Sequence, residues 1–483
     1  MDKISFLSQS TSLILVITIS LVFTFVGLIY SRKYQGLNNY LTANRSVGLF
    51  SLSTSLIASA LGAWILFGPA SAATWGGIGA VIGYALGTAF PMIFLIFLGK
   101  KIRNEFPNGS TLIEFLRKRF KKSLFKLILF MSIFYMFIFL CAEVTAVAVL
   151  INYISGTALW ITALITLVGT LIYTLYGGLR VSIFTDTIQS LIILTLLIVS
   201  VFYLISFSGD QFSFYFIGQK NPQLLSASYI PNYTSGLTFF IAVAATNLFH
   251  QGNWQRVYSA KNNNVLKKGL IISFIAIIPI VMFMGFTGLI AVSINPKVTP
   301  DLGFFYLLLR DQTEFLSVII VILGLSLTIS TVDTLVNAIS SLVIVDAKAT
   351  FSFSNKTDYL KISKYFIIVL SIIAFIVASK GFSVLYLFLL ADLFCCAFVL
   401  TVFYSFYNKK LNEKTAYISI IIGLIGGLLL FPSPDFSKSL LVGIMMPSHL
   451  FPDFFSQSLL FLSFLIATVA PAIVIMFYDS TKG

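Results

Sequence analysis

The sequence predicts an all-α protein that crosses a membrane many times. Of its 483 residues, 58% are hydrophobic and only 10% are charged, and the mean hydropathy is +0.98. Apolar runs of about 17–25 residues, the length that an α-helix needs to cross a bilayer, recur along the whole chain. The runs are continuous rather than alternating, which indicates helices and not strands. We therefore predict one polytopic transmembrane domain over residues 1–483.

Thirteen spans are predicted from these apolar runs. Their ranges are 13–30, 49–74, 77–99, 127–154, 159–176, 181–206, 237–258, 269–293, 315–346, 365–379, 382–407, 416–432 and 457–478. The sequence contains no P-loop, no HExxH zinc motif and no nucleophile elbow, so we expect no enzyme activity.

The basic residues are distributed asymmetrically along the chain. With the N-terminus outside, 25 of the 31 Lys and Arg residues fall at cytoplasmic loops and helix ends. The positive-inside rule then predicts a plasma (inner) membrane protein with its N-terminus outside and its C-terminus in the cytoplasm. This topology, together with contact with anionic lipid, accounts for the net charge of +14. We therefore expect no nucleic-acid partner.

The predicted spans divide into two sets of five. Residues 49–206 hold the first set and residues 237–407 the second, with an extra N-terminal helix at 13–30 and two C-terminal helices over 416–478. An odd number of spans in each set inverts the second set relative to the first. The opening span of the first set contains Gly and Pro residues, and that of the second contains the polar stretch HQGNWQ. Such paired interruptions favour a binding site near the membrane midplane, where unwound backbone exposes carbonyls and amides.

A polar cluster lies in the apolar stretch GLSLTISTVDTLVNAISS. At about 100° per residue, Leu327, Ser330, Thr331 and Thr334 share one helix face. Carbonyl and hydroxyl oxygens are ligands that hard cations prefer. The hydroxyls could instead bond to their own i−4 carbonyls or help the helix to pack. The adjacent Asp333 favours a cation, because an ion would offset the cost of a carboxylate in the membrane.

Three further acids and one histidine lie inside predicted spans, and each has two interpretations. Asp186 is expected to face a cavity or a partner, or to cap its helix or pair with Arg180 near the interface. Glu143 and Asp392 are expected to bind an amide or cationic substrate, or to make structural hydrogen bonds. Glu143 could also carry a proton. His250 is expected to contact substrate through a ring nitrogen or to act as a neutral hydrogen-bonding residue.

Three motifs resemble the sodium/solute symporter family, and the match extends over roughly 40–410. The most specific is YTLYGGLRVSIFTDTIQ, which resembles the family signature. ISTVDTLVNAISSLVIVD is similar to the eighth core helix of the family, and HQGNWQRVYSAKN is similar to the end of the sixth. The resemblance implies a LeuT-like 5+5 inverted repeat with about 13 transmembrane helices.

The resemblance also implies two cation sites. The shared sodium site of the family would be formed by the carbonyls of Ala58, Leu61 and Leu327 and the hydroxyls of Ser330 and Thr331. The second cation site would be formed by Asp186, Asp333 and Thr334. Other members usually carry a small hydroxyl where this chain has Asp333. Two close carboxylates repel unless a cation or a proton lies between them, so the second ion is expected to be sodium or a proton.

A substrate pocket is implied between the first, second, third, sixth and tenth core helices. Its candidate residues are Ser59, Ala63, Trp64, Phe67, Trp75, Glu143, Asn247, His250, Gln251 and Asp392. Proline carriers have an Asp in the first core helix where this chain has Ala60, and the acidic and amide set of sugar carriers is missing. PNGSTLIEFLRKRF, YTLYGGLR and GNWQR look more like the urea and polyamine branch.

We therefore expect sodium-coupled symport of a small polar organic solute into the cell by alternating access, with one or two Na+ ions. The solute is expected to be urea-like, amide-like or amino-acid-like. A proton-coupled symporter of the same fold, a transporter-like membrane sensor and a passive channel are the alternatives. The expected partners are the small-molecule substrate and the lipid bilayer, and we expect a monomer or a weak homo-oligomer.

Overall fold

The computed structural model describes residues 6–120, 122–311, 313–350, 358–408, 410–434, 436, 438–439, 441 and 458–480. Residues 442–457, which belong to the C-terminal unit predicted over 416–478, lie outside this description. The helices are α1 (Gln9–Lys33), α2 (Leu37–Thr42), α3 (Leu49–Ala60), α4 (Gly68–Glu105), α5 (Leu112–Arg119), α6 (Lys122–Ser155), α7 (Leu159–Ser208), α8 (Phe214–Lys220), α9 (Ile230–Phe249), α10 (Gln251–Ser259), α11 (Asn263–Ile294), α12 (Gly303–Leu308), α13 (Glu314–Ser341), α14 (Lys348–Thr350), α15 (Tyr359–Ala378), α16 (Val384–Tyr404), α17 (Glu413–Leu430) and α18 (Leu459–Ser480).

Ten of the helices in the described ranges are long and apolar enough to cross a membrane. This confirms the all-helical polytopic class, whereas the count of about thirteen stays a prediction. One reason for the difference is that α4 and α7 each run through a glycine with positive φ, namely Gly77 at 62° and Gly178 at 60°. Residues with a Cβ rarely adopt this conformation. The helical geometry is interrupted there, between the predicted spans that the long helices join.

Two of the apolar stretches are broken where the sequence predicted interruptions. α3 ends at Ala60, a 3₁₀ turn runs from Ala63 to Leu66, and α4 begins at Gly68. α9 ends at Phe249, and His250 has extended backbone (φ −63°, ψ 111°) before α10 begins. Residues at such breaks lose the i→i−4 pattern, so backbone carbonyls and amides become available to other partners.

A row of glycines lets α4 pack closely against α9. A Cβ built on Gly79, Gly83 or Gly87 would meet backbone atoms of α9, with closest approaches to the carbonyls of Asn232, Gly236 and Phe239 respectively. The four-residue spacing places the three glycines on one face of α4. Small residues at this spacing let membrane helices approach closely. The interface holds α9 against α4. It therefore positions the break at His250 relative to the break between α3 and α4.

Replacing Gly83 by alanine is expected to destabilise this interface. The added Cβ would overlap the carbonyl oxygen of Gly236, which is rigid backbone, so the two helices must separate. Overpacking of this kind costs about 1–3 kcal/mol. The midpoint of thermal unfolding of purified Gly83→Ala protein should fall below that of the wild type. Gly218→Ala is the control, because its Cβ would meet nothing nearer than 4.0 Å, and an equal loss in both variants would contradict the interpretation.

The helix that carries the polar cluster lies in the interior of the bundle. From Leu316 to Ser341 almost every residue of α13 is buried. It packs against α1, α3, α6 and α7. The polar side chains of α13 therefore face other helices rather than lipid, and each needs a partner within the protein or in a bound solute.

Candidate functional site

The break after α3 presents an unpaired backbone oxygen. Leu61 (φ −107°, ψ 79°) and Gly62 (φ −78°, ψ −179°) both leave helical geometry. The N–H of Leu61 still donates to the carbonyls of Ile57 and Ala58, at 3.0 and 3.3 Å. Within the described ranges, the carbonyl of Leu61 accepts no backbone hydrogen bond. A buried carbonyl without a partner is costly, so this oxygen is suited to an ion.

The adjacent hydroxyls of α13 are arranged with their lone pairs available. Thr331 Oγ1 donates to the carbonyl of Leu327 at 3.1 Å, and Ser330 Oγ donates to Asp186 Oδ1 at 2.6 Å. Each hydroxyl has thus given its only hydrogen, and its oxygen can still bind a cation. A Cβ built on Gly62 would be 2.9 Å from Thr331 Oγ1. The structure therefore brings the break and the hydroxyl pair together, whereas the ligand set itself stays a prediction.

A buried arginine lies at the predicted second cation site. The guanidinium of Arg256, on α10, has no exposed surface and pairs with Asp186 Oδ2 through Nη2 at 2.6 Å. The same Nη2 donates to Thr334 Oγ1 at 2.8 Å, and Nε donates to Ser55 Oγ at 2.8 Å. Ser55 in turn donates to Asp186 Oδ2 at 2.6 Å. Two of the three residues predicted for the second site, Asp186 and Thr334, are therefore already bonded to a positive charge.

The alternative partner that the sequence offered for Asp186 lies elsewhere. Arg180 donates to the carbonyl of Ala43 at 3.1 Å and to Ser46 Oγ at 2.6 Å. Asp186 sits two turns further along α7, where its carboxylate faces α10 and α13 instead. Pairing of Asp186 with Arg180 is therefore wrong, because Arg180 is fully engaged with the turn before α3.

Asp333 is surrounded by hydroxyl donors rather than facing Asp186 across an ion. Tyr173 donates to Oδ2 and Ser182 donates to Oδ1, each at 2.7 Å. The hydroxyls of Thr185 and Thr334 lie at 3.1 and 3.4 Å from the carboxylate. Hydrogen bonds to a charged acceptor are stronger than neutral ones and offset much of the cost of burial. In this structure Asp333 is thus held by α7, without direct contact with a basic side chain.

A small cavity lies between the two broken helices. Its lining consists of Ser59, Ala60, Trp64, Tyr84, Phe139, Val243, Thr246, Asn247, His250, Phe388 and Asp392. Its volume is about 30 Å³, and about 10–15 Å³ on this measure is enough to hold one water molecule. Five of the ten predicted substrate residues line it, namely Ser59, Trp64, Asn247, His250 and Asp392. A substrate larger than about two or three water molecules requires the cavity walls to move apart.

The cavity combines one carboxylate with aromatic walls. Among the described residues, Asp392 is the only acid that lines it, and no Lys or Arg does. Asp392 Oδ1 accepts a hydrogen bond from Thr246 Oγ1 at 2.6 Å, and the residue keeps 5% of its surface exposed. His250 Nδ1 lacks a hydrogen-bond partner among the described residues. A carboxylate, a ring nitrogen and aromatic faces together can bind a solute that carries N–H donors or a positive charge.

The other five predicted substrate residues lie outside this cavity. The backbone N–H of Ala63 donates to Glu143 at 2.9 Å, so this pair belongs to the break. Phe67 packs edge-on against Phe305, with ring centroids 5.1 Å apart. Trp75 lies two turns beyond the 3₁₀ turn and is 37% exposed.

Gln251 belongs to the opposite end of the molecule from Trp75. Its side chain accepts from the N–H of Leu112 at 3.1 Å and donates to the carbonyl of Ser110 and to Ser341 Oγ. These contacts tie α5 to α10 and α13. Gln251 is separated from the cavity because it follows His250, where the chain direction changes.

Hydrogen bonds connect the start of α3 with the end of α10. The N–H of Val47 donates to the carbonyl of Ser259 at 3.1 Å, and the N–H of Lys261 donates to the carbonyl of Val47 at 2.9 Å. Arg103 donates to the carbonyls of Val257 and Ala260, at 2.6 and 2.8 Å. The start of α3 and the end of α10 are thereby joined directly.

A short segment before α12 connects two helices at the other end. Asp301 accepts hydrogen bonds from Ser71 Oγ at 2.7 Å and Ser383 Oγ at 3.2 Å, which links α4 to the start of α16. Burial raises the pKa of Asp301 above its usual value, and the two hydroxyl donors lower it in part. Contacts thus join neighbouring helices at both ends of the bundle, on either side of the small cavity.

Sequence reasoning missed six cavity residues and Arg256. The positions of Val243 and Thr246 could have been inferred from the sequence. Together with Asn247 and His250 they follow the i, i+3, i+4, i+7 pattern of one helix face. Arg256 was also visible, as a basic residue inside the predicted span 237–258. A basic residue in the membrane usually pairs with an acid. The aromatic wall residues had no such signal, because the chain contains 49 Phe and 21 Tyr residues.

A family comparison covers most of the chain. The model of the family described as "Sodium:solute symporter family" matches residues 40–423. The spermidine transporter DUR31 of Candida albicans is 26% identical over 380 residues, covering 78% of this chain and 71% of its own. The sodium/proline symporter of Salmonella typhimurium is 29% identical over 208 residues, covering 41% of this chain and 40% of its own. A probable urea active transporter of Schizosaccharomyces pombe is 23% identical over 212 residues, covering 42% and 32%.

Solved structures show the same fold at low identity. A Na+-coupled sialic acid symporter in a substrate-bound outward-open state superposes with a TM-score of 0.74 at 16% identity, covering 97% of this chain and 98% of its own. MhsT in complex with L-phenylalanine gives a TM-score of 0.51 at 14% identity, covering 89% and 98%. At these identities the likeness concerns the fold alone.

Proposed function

Because the chain belongs to the sodium:solute symporter family, we propose that it couples sodium entry to the uptake of a small polar organic solute. The family and the relatives are transporters rather than enzymes, so the chain is a multi-pass membrane transporter of small molecules. Na+ as the coupling ion is supported by its sodium-coupled relatives. The observation that carries the proposal is the meeting of the break after α3 with the buried hydroxyl pair of α13.

We assign the coupling ion to oxygens of the two helices that meet there. The proposed ligands are the carbonyls of Ala58, Leu61 and Leu327 and the hydroxyls of Ser330 and Thr331. The unpaired carbonyl of Leu61 and the oriented lone pairs of the two hydroxyls support this assignment. All five are neutral oxygen donors, which suits a hard monovalent cation.

The ion would link α13 to the break and so order the segment that carries Ser59 and Trp64 into the cavity. The cavity walls would move apart to admit the solute, and the contacts at the end where α3 begins would then open. Coupling of this kind is reciprocal: if sodium raises the affinity for the solute, the solute raises the affinity for sodium by the same factor.

The finer topology is part of this proposal. We propose thirteen spans, two inverted sets of five over 49–206 and 237–407, and an N-terminus outside the cell. The paired breaks at Leu61–Gly62 and at His250 support the repeat. The asymmetric distribution of Lys and Arg supports the orientation in the plasma (inner) membrane.

The cavity favours a solute that donates hydrogen bonds from nitrogen. Asp392 can accept such bonds, and His250 Nδ1 can take part as donor or acceptor. Amides such as urea and amines such as polyamines both meet this requirement, and relatives are named for urea and spermidine transport. A solute with an unpaired carboxylate would meet repulsion from Asp392 unless the bound sodium offset it.

Uptake into proteoliposomes tests the proposed function. An inward sodium gradient would be compared with a choline control over labelled urea, acetamide, proline, putrescine, spermidine, acetate and glucose. Sodium-driven accumulation of a nitrogenous solute is the expected result. Accumulation driven only by a proton gradient would instead make the chain a proton-coupled symporter, with Asp333 as the candidate proton carrier. Uptake of one solute that never exceeds equilibrium would indicate a channel.

Replacing Asp392 by asparagine is expected to weaken binding of the transported solute. A hydrogen bond to a charged group contributes about 1.5–3 kcal/mol, so the KM should rise roughly 10- to 100-fold at unchanged sodium dependence. Cys396→Ala is the control, because Cys396 lies one turn further along α16 and does not line the cavity. An unchanged KM in Asp392→Asn would remove Asp392 from the substrate site.

The second cation site of Asp186, Asp333 and Thr334 stays a prediction. In this structure the guanidinium of Arg256 already contacts Asp186 and Thr334. We propose that Arg256 supplies the positive charge of this site, which leaves one mobile sodium ion in each transport cycle. The sodium Hill coefficient distinguishes the two cases, since a value near one fits a tethered guanidinium and a value near two requires a second ion.

A further inference from the structure

Glu143 reaches the broken helix from α6 and uses only one of its two carboxylate oxygens. The residue has no exposed surface. Its Oε2 accepts the backbone N–H of Ala63, at 2.9 Å, at the start of the 3₁₀ turn. Its Oε1 is buried and has no hydrogen-bond partner among the residues that the structure describes. An ionised oxygen in this position is costly unless a cation or a donor lies against it.

The free oxygen of Glu143 lies close to Thr331 Oγ1, one of the proposed ion ligands. A Cβ built on Gly62 would overlap Glu143 Oε1, and Thr331 Oγ1 would lie 2.9 Å from the same Cβ. Both oxygens are thus less than 3.0 Å from one position beside the break. Ligand oxygens lie about 2.3–2.6 Å from Ca²⁺, which is close to Na+ in radius. One ion can therefore contact both atoms.

Three of the other buried acids already have partners or face the substrate cavity. Asp186 is paired with Arg256, and Asp333 accepts hydrogen bonds from hydroxyls of α7. Asp392 faces the substrate cavity. Among the described residues, Glu143 Oε1 and Asp346 Oδ1 are the buried carboxylate oxygens without a hydrogen-bond partner. Of these two, Glu143 lies beside the assembly of neutral oxygens that is proposed to bind a cation.

We propose that Glu143 Oε1 is a further ligand of the coupling cation, so that the ion site carries a full negative charge. This inference rests on the sodium coupling proposed above. The ion would then join α6, as well as α13, to the break after α3. Because a unit charge interacts strongly with an ion in a medium of low dielectric constant, the carboxylate would set much of the sodium affinity.

An alternative role for Glu143 is purely structural, as the acceptor for the first N–H of the 3₁₀ turn. The two roles make different demands on the side chain. A glutamine keeps the length and a carbonyl oxygen that can accept from Ala63, but it loses the charge. Capping therefore survives Glu143→Gln, whereas a charged ion ligand does not.

The test is sodium-dependent thermal stabilisation of the purified full-length protein, which does not depend on knowing the solute. Unfolding midpoints would be measured across NaCl concentrations, with choline chloride keeping the ionic strength constant. Binding to the folded state raises the midpoint, so the titration reports the sodium affinity. Asp346→Asn is the matched control, since Asp346 is another fully buried acid that accepts from Thr111 Oγ1 at 2.7 Å, away from the break.

We expect Glu143→Gln to need at least tenfold more sodium for half of the stabilisation, with Asp346→Asn unchanged. Glu143→Gln with a sodium midpoint within twofold of the wild type would overturn the inference. If Glu143→Gln does not fold, Glu143→Asp is the second test. The aspartate keeps the negative charge, but its side chain is one methylene shorter and the carboxylate lies farther from the ion. A wild-type affinity in Glu143→Asp would likewise overturn the inference.

The same titration separates this inference from the function on which it rests. Loss of the sodium response in Ser330→Ala with Thr331→Ala, together with an unchanged response in Glu143→Gln, would remove Glu143 from the site but leave sodium coupling standing. A wild-type protein that sodium does not stabilise over choline would overturn both.

Discussion

Replacement of both Ser330 and Thr331 by alanine is expected to abolish sodium-driven accumulation of the solute at ordinary sodium concentrations. The two hydroxyls are adjacent on α13, and each has donated its hydrogen and kept its lone pairs for an ion. Losing an interaction with a charged group costs about 1.5–3 kcal/mol. Two such losses raise the sodium concentration for half-maximal transport by roughly 100-fold or more.

The measurement is the sodium dependence of uptake into proteoliposomes, with the amount of reconstituted protein matched. Ser326→Ala with Thr328→Ala is the control, because both are buried hydroxyls of the same helix without hydrogen-bond partners among the described residues. This control removes two hydroxyls from α13 without touching the proposed ligands. Equal sodium dependence in the wild type and the Ser330/Thr331 variant would show that the ion binds elsewhere.

Replacement of Arg256 by methionine is expected to give the largest loss of stability of any single change considered. Arg256 donates to Asp186, Thr334, Ser55 and the carbonyl of Gly252, so it joins α3, α7, α10 and α13. Methionine fills a similar volume but leaves Asp186 as a buried unpaired charge. Breaking a buried ion pair in this way costs about 3–5 kcal/mol.

The thermal unfolding midpoint of purified Arg256→Met protein measures this loss. Asp186→Asn added to Arg256→Met should recover part of the stability, because it removes the stranded carboxylate rather than restoring the pair. Lysine at position 256 should not substitute well, since its single ammonium cannot reproduce the planar fork of the guanidinium. A stability loss in Arg256→Met that Asp186→Asn leaves entirely unrepaired would show that packing, not charge, holds the network together.

The sequence predicted the fold at the level of class and the places where helices break. Apolar runs indicated the spanning helices, and the Gly-rich and polar stretches marked the breaks at Leu61–Gly62 and at His250. The number of continuous helices was harder to predict. Gly77 and Gly178 change the chain direction without the polar loop that usually separates two spans, so composition alone does not fix where one helix ends.

The candidate site was less predictable than the fold, because it depends on tertiary contacts. The helix face of Leu327, Ser330 and Thr331 follows from local periodicity. The pairing of Asp186 with Arg256 joins residues 70 positions apart, and no local pattern specifies it. Glu143 was assigned to the substrate for the same reason, since nothing in its neighbourhood in the sequence shows that it reaches the break at Ala63.

The hydrogen bonds that hold Arg256 in the core determine how much charge moves across the membrane in each transport cycle. A guanidinium anchored to the protein by four hydrogen-bonding partners returns with the empty carrier, so it adds no net charge movement over a complete cycle. Only the mobile ion and any charge on the solute are driven by the membrane voltage, each contributing about 2.3 kcal/mol per 100 mV. That is a factor of roughly 50 in the accumulation ratio for each mobile positive charge. With one sodium ion per cycle, a monovalent cationic solute would move two positive charges, so the factor would apply twice. A neutral amide would move one, so the factor would apply once.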